Sequence, residues 1–293
     1  MLSDRRRVQV VVNANASGID SVRSTVRDAM DALEHAGAET SAVATRSLRG
    51  LADTIAEADG RRLVLVGGDG AVHAAANAGA TGELGLLPAG RANNIARGLG
   101  IPSSWPAAAA IAVGAPTRPL DLLSVETADR TLLAVEGFSA GFQAAARSRY
   151  RATNSADLGA GTVALVRALA THRSYAAELA VDGEALSLST SQLFVSNLPL
   201  FGFGFRVAPG ARADDGEADL VALPPRSRMA ILPELARVRR GTHLAGGRAL
   251  LRRVRRVELR SPLPLVADAE VLGNGSAVVE LVPGALRLAR PRL

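Results

Sequence analysis

Residues 63–78 read LVLVGGDGAVHAAANA, and this stretch decides the fold of the first half of the chain. Leu63–Val66 is an apolar run too short for a helix, so it reads as a buried strand. Gly67-Gly68-Asp69-Gly70 breaks that strand, and the alanine-rich residues after it read as a helix. Glycines let the backbone approach a ligand closely, and the N–H groups at a helix start suit phosphate. A bare anion beside Asp69 would be repelled, so a magnesium ion or a hydrogen-bonded ribose is its natural complement.

The same order of elements recurs on either side. LGLLPAGRANNIARGLGIP, residues 84–102, is again an apolar strand, a Pro/Gly turn and a polar helix start at Asn93-Asn94, with Arg91 and Arg97 adding positive charge. Further strands read at Val8–Val12, Ala38–Ala44 and Pro119–Val125. SVRSTVRDAMDALEHAG between the first two carries a helical stripe that stops at Gly37. Near-continuous apolar strands separated by helices predict a parallel sheet covered on both faces. After residue 125 the texture changes to short strand-like runs split by Asp182-Gly183, Pro209-Gly210 and Asp215-Gly216, with helical stretches only at 161–170 and 226–239. That pattern predicts a mostly antiparallel second domain, so the expected domains are 1–125 and 126–293, the last strands returning to the first.

Composition narrows the chemistry. The 293 residues contain no cysteine and no lysine, and all 34 basic residues are arginine. Disulfides, thiol nucleophiles, Walker A loops and Schiff-base enzymes are thereby excluded. Aromatic residues make up 3%, too few for a single-strand nucleic-acid platform, so no nucleic-acid partner is expected. Nine arginines between Arg237 and Arg260 concentrate the net charge of +6, a patch suited to an anionic membrane surface. No apolar run is long enough to span a bilayer, and the expected location is cytoplasmic and peripheral to membrane.

One competing motif is Gly137-Phe138-Ser139-Ala140-Gly141, which fits the G-x-S-x-G nucleophile elbow. Asp214 or Asp215 and then His243 follow in the chain order of a serine hydrolase triad.

Taken together, the motifs resemble the diacylglycerol kinase-like lipid kinases, a catalytic fold shared by diacylglycerol and sphingosine kinases. The resemblance runs nearly end to end. It rests on Asn13 and Ser17-Gly18, Thr45, GGDG at 67–70, PAGRANNIAR at 88–97 and SAGFQA at 139–144. It continues through SNLPLFGFGFRVAPGARADDGEADLVAL at 196–223, GTHL at 241–244 and DAE at 268–270. It implies an NAD kinase/phosphofructokinase-like α/β domain, a β-rich second domain, and an active site in the cleft between. It implies ATP and Mg2+ as cofactors and transfer of a phosphoryl group to a lipid alcohol, diacylglycerol giving phosphatidic acid. Asn13, Thr45, Gly67, Gly68, Asp69, Gly70, Ala71, Gly90, Arg91 and Asn93 would then contact nucleotide. Arg212 and Glu217, through their carbonyls, and Asp215 match the magnesium positions, while Asp268 and Glu270 match the pair that takes the proton from the lipid hydroxyl.

The chain departs from the family pattern at Ala71, at His73-Ala74, at Arg91, at Asn94 and at Ala269. Those departures leave open a nucleotide-binding pseudokinase beside the active kinase. NAD kinase shares the GGDG turn, but PAGRANNIAR and the late D-x-E follow the lipid branch. A homodimer is compatible with the sequence. Asp268 and Glu270 are read on an extended segment and are expected to do different jobs.

Overall fold

A computed structural model describes residues 6–13, 22–58, 61–151 and 158–292. The chain divides into two units, Met1–Asp121 with Pro283–Leu293, and Leu122–Val282.

The first unit contains β1 (Arg7–Asn13), α1 (Val22–His35), β2 (Glu39–Thr45), α2 (Leu48–Ala56), β3 (Arg62–Gly67), α3 (Asp69–Asn77), β4 (Glu83–Pro88), α4 (Asn94–Gly98), α5 (Trp105–Gly114) and the start of β5 (Thr117–Thr127). Its strands lie in the order β2-β1-β3-β4, all parallel, and Arg287-Leu288 near the chain end extend the sheet parallel to β4. Every residue of β3 is buried, the expected consequence of helices on both faces. Helix α1 buries Ala29 and Leu33 and ends where Gly37 takes a left-handed φ of 92°. The Ala38 N–H then reaches back to the Leu33 carbonyl at 3.0 Å. Strand order reverses between β1 and β3, so the carboxyl ends of these two strands flank the crevice where open α/β sheets bind ligands. Pairing of Val12 with Val66 sets Asn13 beside Gly67 there.

The amino ends of the same strands are closed by charge. The buried Arg62 guanidinium bonds Glu83 at 2.7 Å and the carbonyls of Ala112 and Ala115 at 2.7 and 3.0 Å. A cavity of about 650 Å³ lies at this end, lined by Arg6, Arg7, Glu39, Arg62 and Glu83, away from the glycine turns. Three of its arginines, Arg6, Arg7 and Arg62, pair with Glu83 or Glu39.

The second unit holds the rest of β5, then β6 (Thr131–Ala134), β7 (Gly137–Gly141), α6 (Phe142–Arg151), α7 (Leu158–Ala170), β8 (Tyr175–Val181), β9 (Glu184–Thr190), β10 (Gln192–Ser196), β11 (Ala218–Leu223), α8 (Ile231–Arg240), β12 (Leu250–Val254), β13 (Arg256–Ala267) and most of β14 (Glu270–Ala289). The order β12-β11-β10-β7-β13-β14 is antiparallel throughout, with β8 on β13, β9 on β8 and β6 on β5. Phe138, Val195, Leu220, Leu259 and Leu265 anchor its main apolar core. Asp182 and Gly183, both at positive φ, make the tight β8–β9 turn that their dipeptide signals.

Helices α2 and α6 are the elements that the sequence reading leaves unassigned. In α6 the buried positions are Phe142, Ala144 and Ala145, and alanines leave too faint an apolar stripe for periodicity to register.

Candidate active site

Four of the expected nucleotide positions lie at strand ends: Asn13 on β1, Thr45 on β2, Gly67 on β3 and Gly68 directly after it. Thr45 is buried. The Ser17-Gly18 turn and the side chain of Asn13 lie outside the described residues. Helix α3 starts at Gly68 with no side-chain cap, which leaves its N-terminal end suited to an anion.

The turn after β3 and the turn after β4 form a single structure. The Ala89 N–H bonds the Gly67 carbonyl at 2.9 Å. A Cβ on Gly68 would lie 2.8 Å from the Gly90 Cα, and one on Gly90 would lie 2.5 Å from the Gly68 Cα. The two backbones therefore touch where only glycine fits. Asn93, at a left-handed φ of 48°, accepts the Gly90 N–H at 2.9 Å and donates to the Gly90 carbonyl at 2.8 Å. Asp69 Oδ1 accepts the Ile95 N–H at 2.8 Å and so caps α4 across 26 residues of sequence. Asp69 thus has a structural partner that the sequence reading, which gave it a metal or a ribose, did not foresee. Ala71, one of the departures from the family pattern, is buried, and a Cβ on Gly67 would lie 2.7 Å from its methyl. Arg91 is exposed on the turn, and the Trp105 indole donates to the Pro88 carbonyl at 2.9 Å behind it.

In the second unit the DAE segment is a tight turn, which corrects the expected extended geometry. Ala267 pairs with Glu270, and Asp268 between them has φ of 49°. The buried Asp268 carboxylate accepts the N–H groups of Val135, Glu136 and Gly137 at 2.8, 2.8 and 3.1 Å. Its own N–H bonds the Gly137 carbonyl at 2.9 Å. Glu270 is a third exposed and lies 3.4 Å from the Arg130 guanidinium. The two carboxylates therefore differ sharply in environment. Sequence reasoning missed Glu136, a buried carboxylate that bonds the Gly202 N–H at 3.1 Å and so joins the Asp268 turn to residues 201–205. A lone glutamate inside the apolar run LLAVEGF was the available signal.

The expected magnesium segment carries a cation of its own. The Arg253 guanidinium is ion-paired with Asp215 and, at 2.7 Å, with Glu217, and Arg253 sits opposite Asp219 in the β11–β12 register. Burial pushes the Asp219 carboxyl upward, opposed by Arg253 and reinforced by Asp215 and Glu217. Arg212 pairs with Asp214 at 3.3 Å. Among the described residues no group of three or more His, Asp or Glu side chains is arranged to hold a metal. Arg253 is thus seated on Asp215, the one side-chain donor in the expected set of Arg212, Asp215 and Glu217.

The serine hydrolase reading fails on geometry. Ser139 lies inside β7, fully buried, and its hydroxyl donates to Gln143 Oε1 at 2.6 Å. His243 is buried and bonded to the Val207 carbonyl at 2.9 Å, and neither aspartate is its partner in these contacts. The arginine-rich segment is also less bare than its sequence suggests. Arg237, Arg252, Arg253, Arg256 and Arg260 each pair with a carboxylate, whereas Arg240, Arg248 and Arg255 are exposed.

Comparison with known proteins shows the family and the fold. Residues 7–125 match the diacylglycerol kinase catalytic domain, and residues 136–290 match the YegS C-terminal NAD kinase beta sandwich-like domain. The chain is 31% identical to the probable lipid kinase YegS-like of Pseudomonas aeruginosa (strain UCBPP-PA14), over 98% of this chain and 95% of that protein. It is 27% identical to a diacylglycerol kinase of Mycobacterium tuberculosis (strain ATCC 25618 / H37Rv), over 78% of this chain and 77% of the relative. Among solved structures, a diacylglycerol kinase from Bacillus anthracis str. Sterne superimposes with a TM-score of 0.71, covering 99% of this chain and 98% of that one. At 14% identity that likeness speaks to the fold alone. Among the described residues, no helix is long and apolar enough to cross a membrane.

Proposed function

From the premise that the chain belongs to the lipid kinase family built of a diacylglycerol kinase catalytic domain and a YegS-type C-terminal domain, we propose that it phosphorylates diacylglycerol. MgATP is the phosphoryl donor and phosphatidic acid the product. The observation that carries the nucleotide assignment is the contact of Gly68 with Gly90, braced by Asp69 on Ile95. It sets two glycine turns and two helix starts side by side at the carboxyl edge of a parallel sheet. Such an edge presents backbone N–H groups to phosphate oxygens without an intervening side chain. Gly67, Gly68, Gly70 and Gly90 would approach the phosphates, with Asn13, Thr45 and Asn93 on the rest of the nucleotide. Arg91, exposed on the turn, would supply the positive charge that the missing lysine supplies elsewhere.

Chemistry at the acceptor is assigned by environment. The hydroxyl oxygen of the lipid attacks the γ-phosphorus, the bond from that phosphorus to the bridging oxygen breaks, and ADP departs with the bond's electrons. The hydroxyl proton needs a carboxylate that can be reached. Asp268 is buried and holds three N–H groups, so we assign it a positioning role for the 135–137 backbone. Glu270, partly exposed and next to Arg130, is assigned as the proton acceptor. Magnesium enters as part of the substrate MgATP, and no step passes through Arg212, Asp215 and Glu217. Access to a bilayer-resident acceptor also asks for peripheral contact with an anionic membrane surface.

ADP release measured against diacylglycerol, sphingosine-type and glycerol-phosphate acceptors tests the assignment. Rate dependence on diacylglycerol supports it. Nucleotide binding without turnover on any lipid alcohol would replace it with a pseudokinase.

A further inference from the structure

The segment NLPLFGFGFR, residues 197–206, holds an aromatic side chain out into solvent on a rigid turn. Phe201 and Phe205 exchange backbone hydrogen bonds at 2.9 and 3.1 Å, closing a loop of Gly202, Phe203 and Gly204. Both glycines have left-handed φ, 62° and 78°. Phe201 is buried, edge-on against Phe194 at 5.8 Å, so the base of the turn is anchored in the core. Phe203 at its tip is 66% exposed.

Arginines surround that tip. Arg239 donates to the Phe203 carbonyl at 3.1 Å and stands over the Phe205 ring at 5.9 Å. Arg206 follows the turn directly and packs where α8 ends, its Cβ 3.3 Å from the place a Cβ on Gly241 would take. Arg206, Arg239 and Arg240 are all exposed. A single exposed phenylalanine means little alone. Here the backbone is pinned at three points, which holds the tip in place, and the arginines beside it carry one sign of charge.

We propose that the Phe201–Phe205 turn is a membrane-docking element: Phe203 enters the interface of an anionic bilayer while Arg206, Arg239 and Arg240 meet lipid phosphates around it. An aromatic tip with a basic collar matches the two contributions that hold peripheral proteins on such surfaces, apolar burial and attraction to anionic headgroups. The proposal rests on the lipid kinase reading, because a diacylglycerol acceptor lies in the bilayer. It adds a link to the chemistry: Glu136 accepts the Gly202 N–H and gives its own N–H to Asp268, so one residue connects the docking turn to the Asp268 turn. Depth of insertion is thereby registered to the acceptor carboxylates.

The chain has no cysteine, so a Phe203→Cys variant accepts one environment-sensitive fluorophore at the tip, and Ala128→Cys on an exposed turn serves as control. Phosphatidylcholine vesicles with and without phosphatidylglycerol are added in the absence of nucleotide, and partitioning of unlabelled wild type and Phe203→Ser is measured by sedimentation. The expected result is a fluorescence rise at position 203 only, confined to phosphatidylglycerol vesicles and reduced by salt. Phe203→Ser should lower the partition coefficient about tenfold. Vesicle binding with no change at position 203, equal partitioning of Phe203→Ser, or no vesicle binding at all would overturn the proposal. So would a Phe203→Ser variant that loses only self-association on size exclusion. Since no ATP is present, an inactive protein that still inserts Phe203 would separate failure of the kinase reading from failure of the docking surface.

Discussion

Asp69 and Ile95 are joined by a 2.8 Å bond from the Ile95 N–H to the Asp69 carboxylate, which makes the turn after β3 a cap for the helix after β4. Asp69→Ala removes that acceptor and leaves the α4 start without its cap. A cap of this kind contributes about 1 kcal/mol. The expected outcome is a modest loss of stability in denaturant titration together with weaker ATP binding by calorimetry, because the two phosphate-facing turns lose their brace. Unchanged affinity in a folded variant would remove Asp69 from the nucleotide site.

Asp268 and Glu270 should separate cleanly in stability. Asp268→Asn replaces one carboxylate oxygen by an N–H donor facing backbone N–H donors, and a buried unsatisfied group costs about 1–3 kcal/mol. Glu270→Gln changes a partly exposed group, so its cost should stay within about 0.5 kcal/mol. Urea midpoints of the two variants compare these directly.

Arg253 is expected to act as the fixed counter-ion of the 215–219 segment. Arg253→Gln leaves Asp215, Glu217 and Asp219 without it. The Asp219 carboxyl already sits above its ordinary value, so its ionisation opposes folding as pH rises through that raised value, and loss of Arg253 strengthens the effect. The variant should therefore lose more stability at neutral pH than in acid. Millimolar Mg2+ or Ca2+ should recover part of the neutral-pH loss, whereas wild-type melting should be indifferent to chelator.

Burial holds His172 and His243 below the ordinary histidine range, with Nδ1 of each buried and without a hydrogen-bond partner. Their neutral forms are favoured in the folded state. Their stability contribution is full above the unfolded value near 6.5 and is lost as pH falls through the lowered folded values. Thermal melts stepped downward from neutral pH should show this decline, and His243→Gln should reduce it.

Local signals made much of this legible in sequence. The β3 strand, the GGDG turn and the α1 stripe are each written in one short continuous stretch, and Asp182-Gly183 spells its own hairpin. What stayed hidden is non-local. The DAE turn carries no glycine, and Asp268 holds its left-handed φ because three N–H groups from 135–137 converge on its carboxylate. Arg253 looked like one cation in a basic patch until the β11–β12 register set it against Asp215 and Glu217. Likewise Ser139 satisfied a five-residue pattern, and only its burial inside β7 shows that nothing can reach it.

The most direct measurement is transfer of label from radiolabelled MgATP into dispersed diacylglycerol by wild type, Glu270→Gln and Ser139→Ala. Label should enter phosphatidic acid with the wild type, and Ser139→Ala should remain active. Glu270→Gln should lower turnover about 10²- to 10⁴-fold while ATP affinity stays nearly unchanged, the pattern of a group used mainly in the transition state. Turnover of Glu270→Gln at the parent rate, or absence of labelled lipid with the wild type, would contradict the assignment.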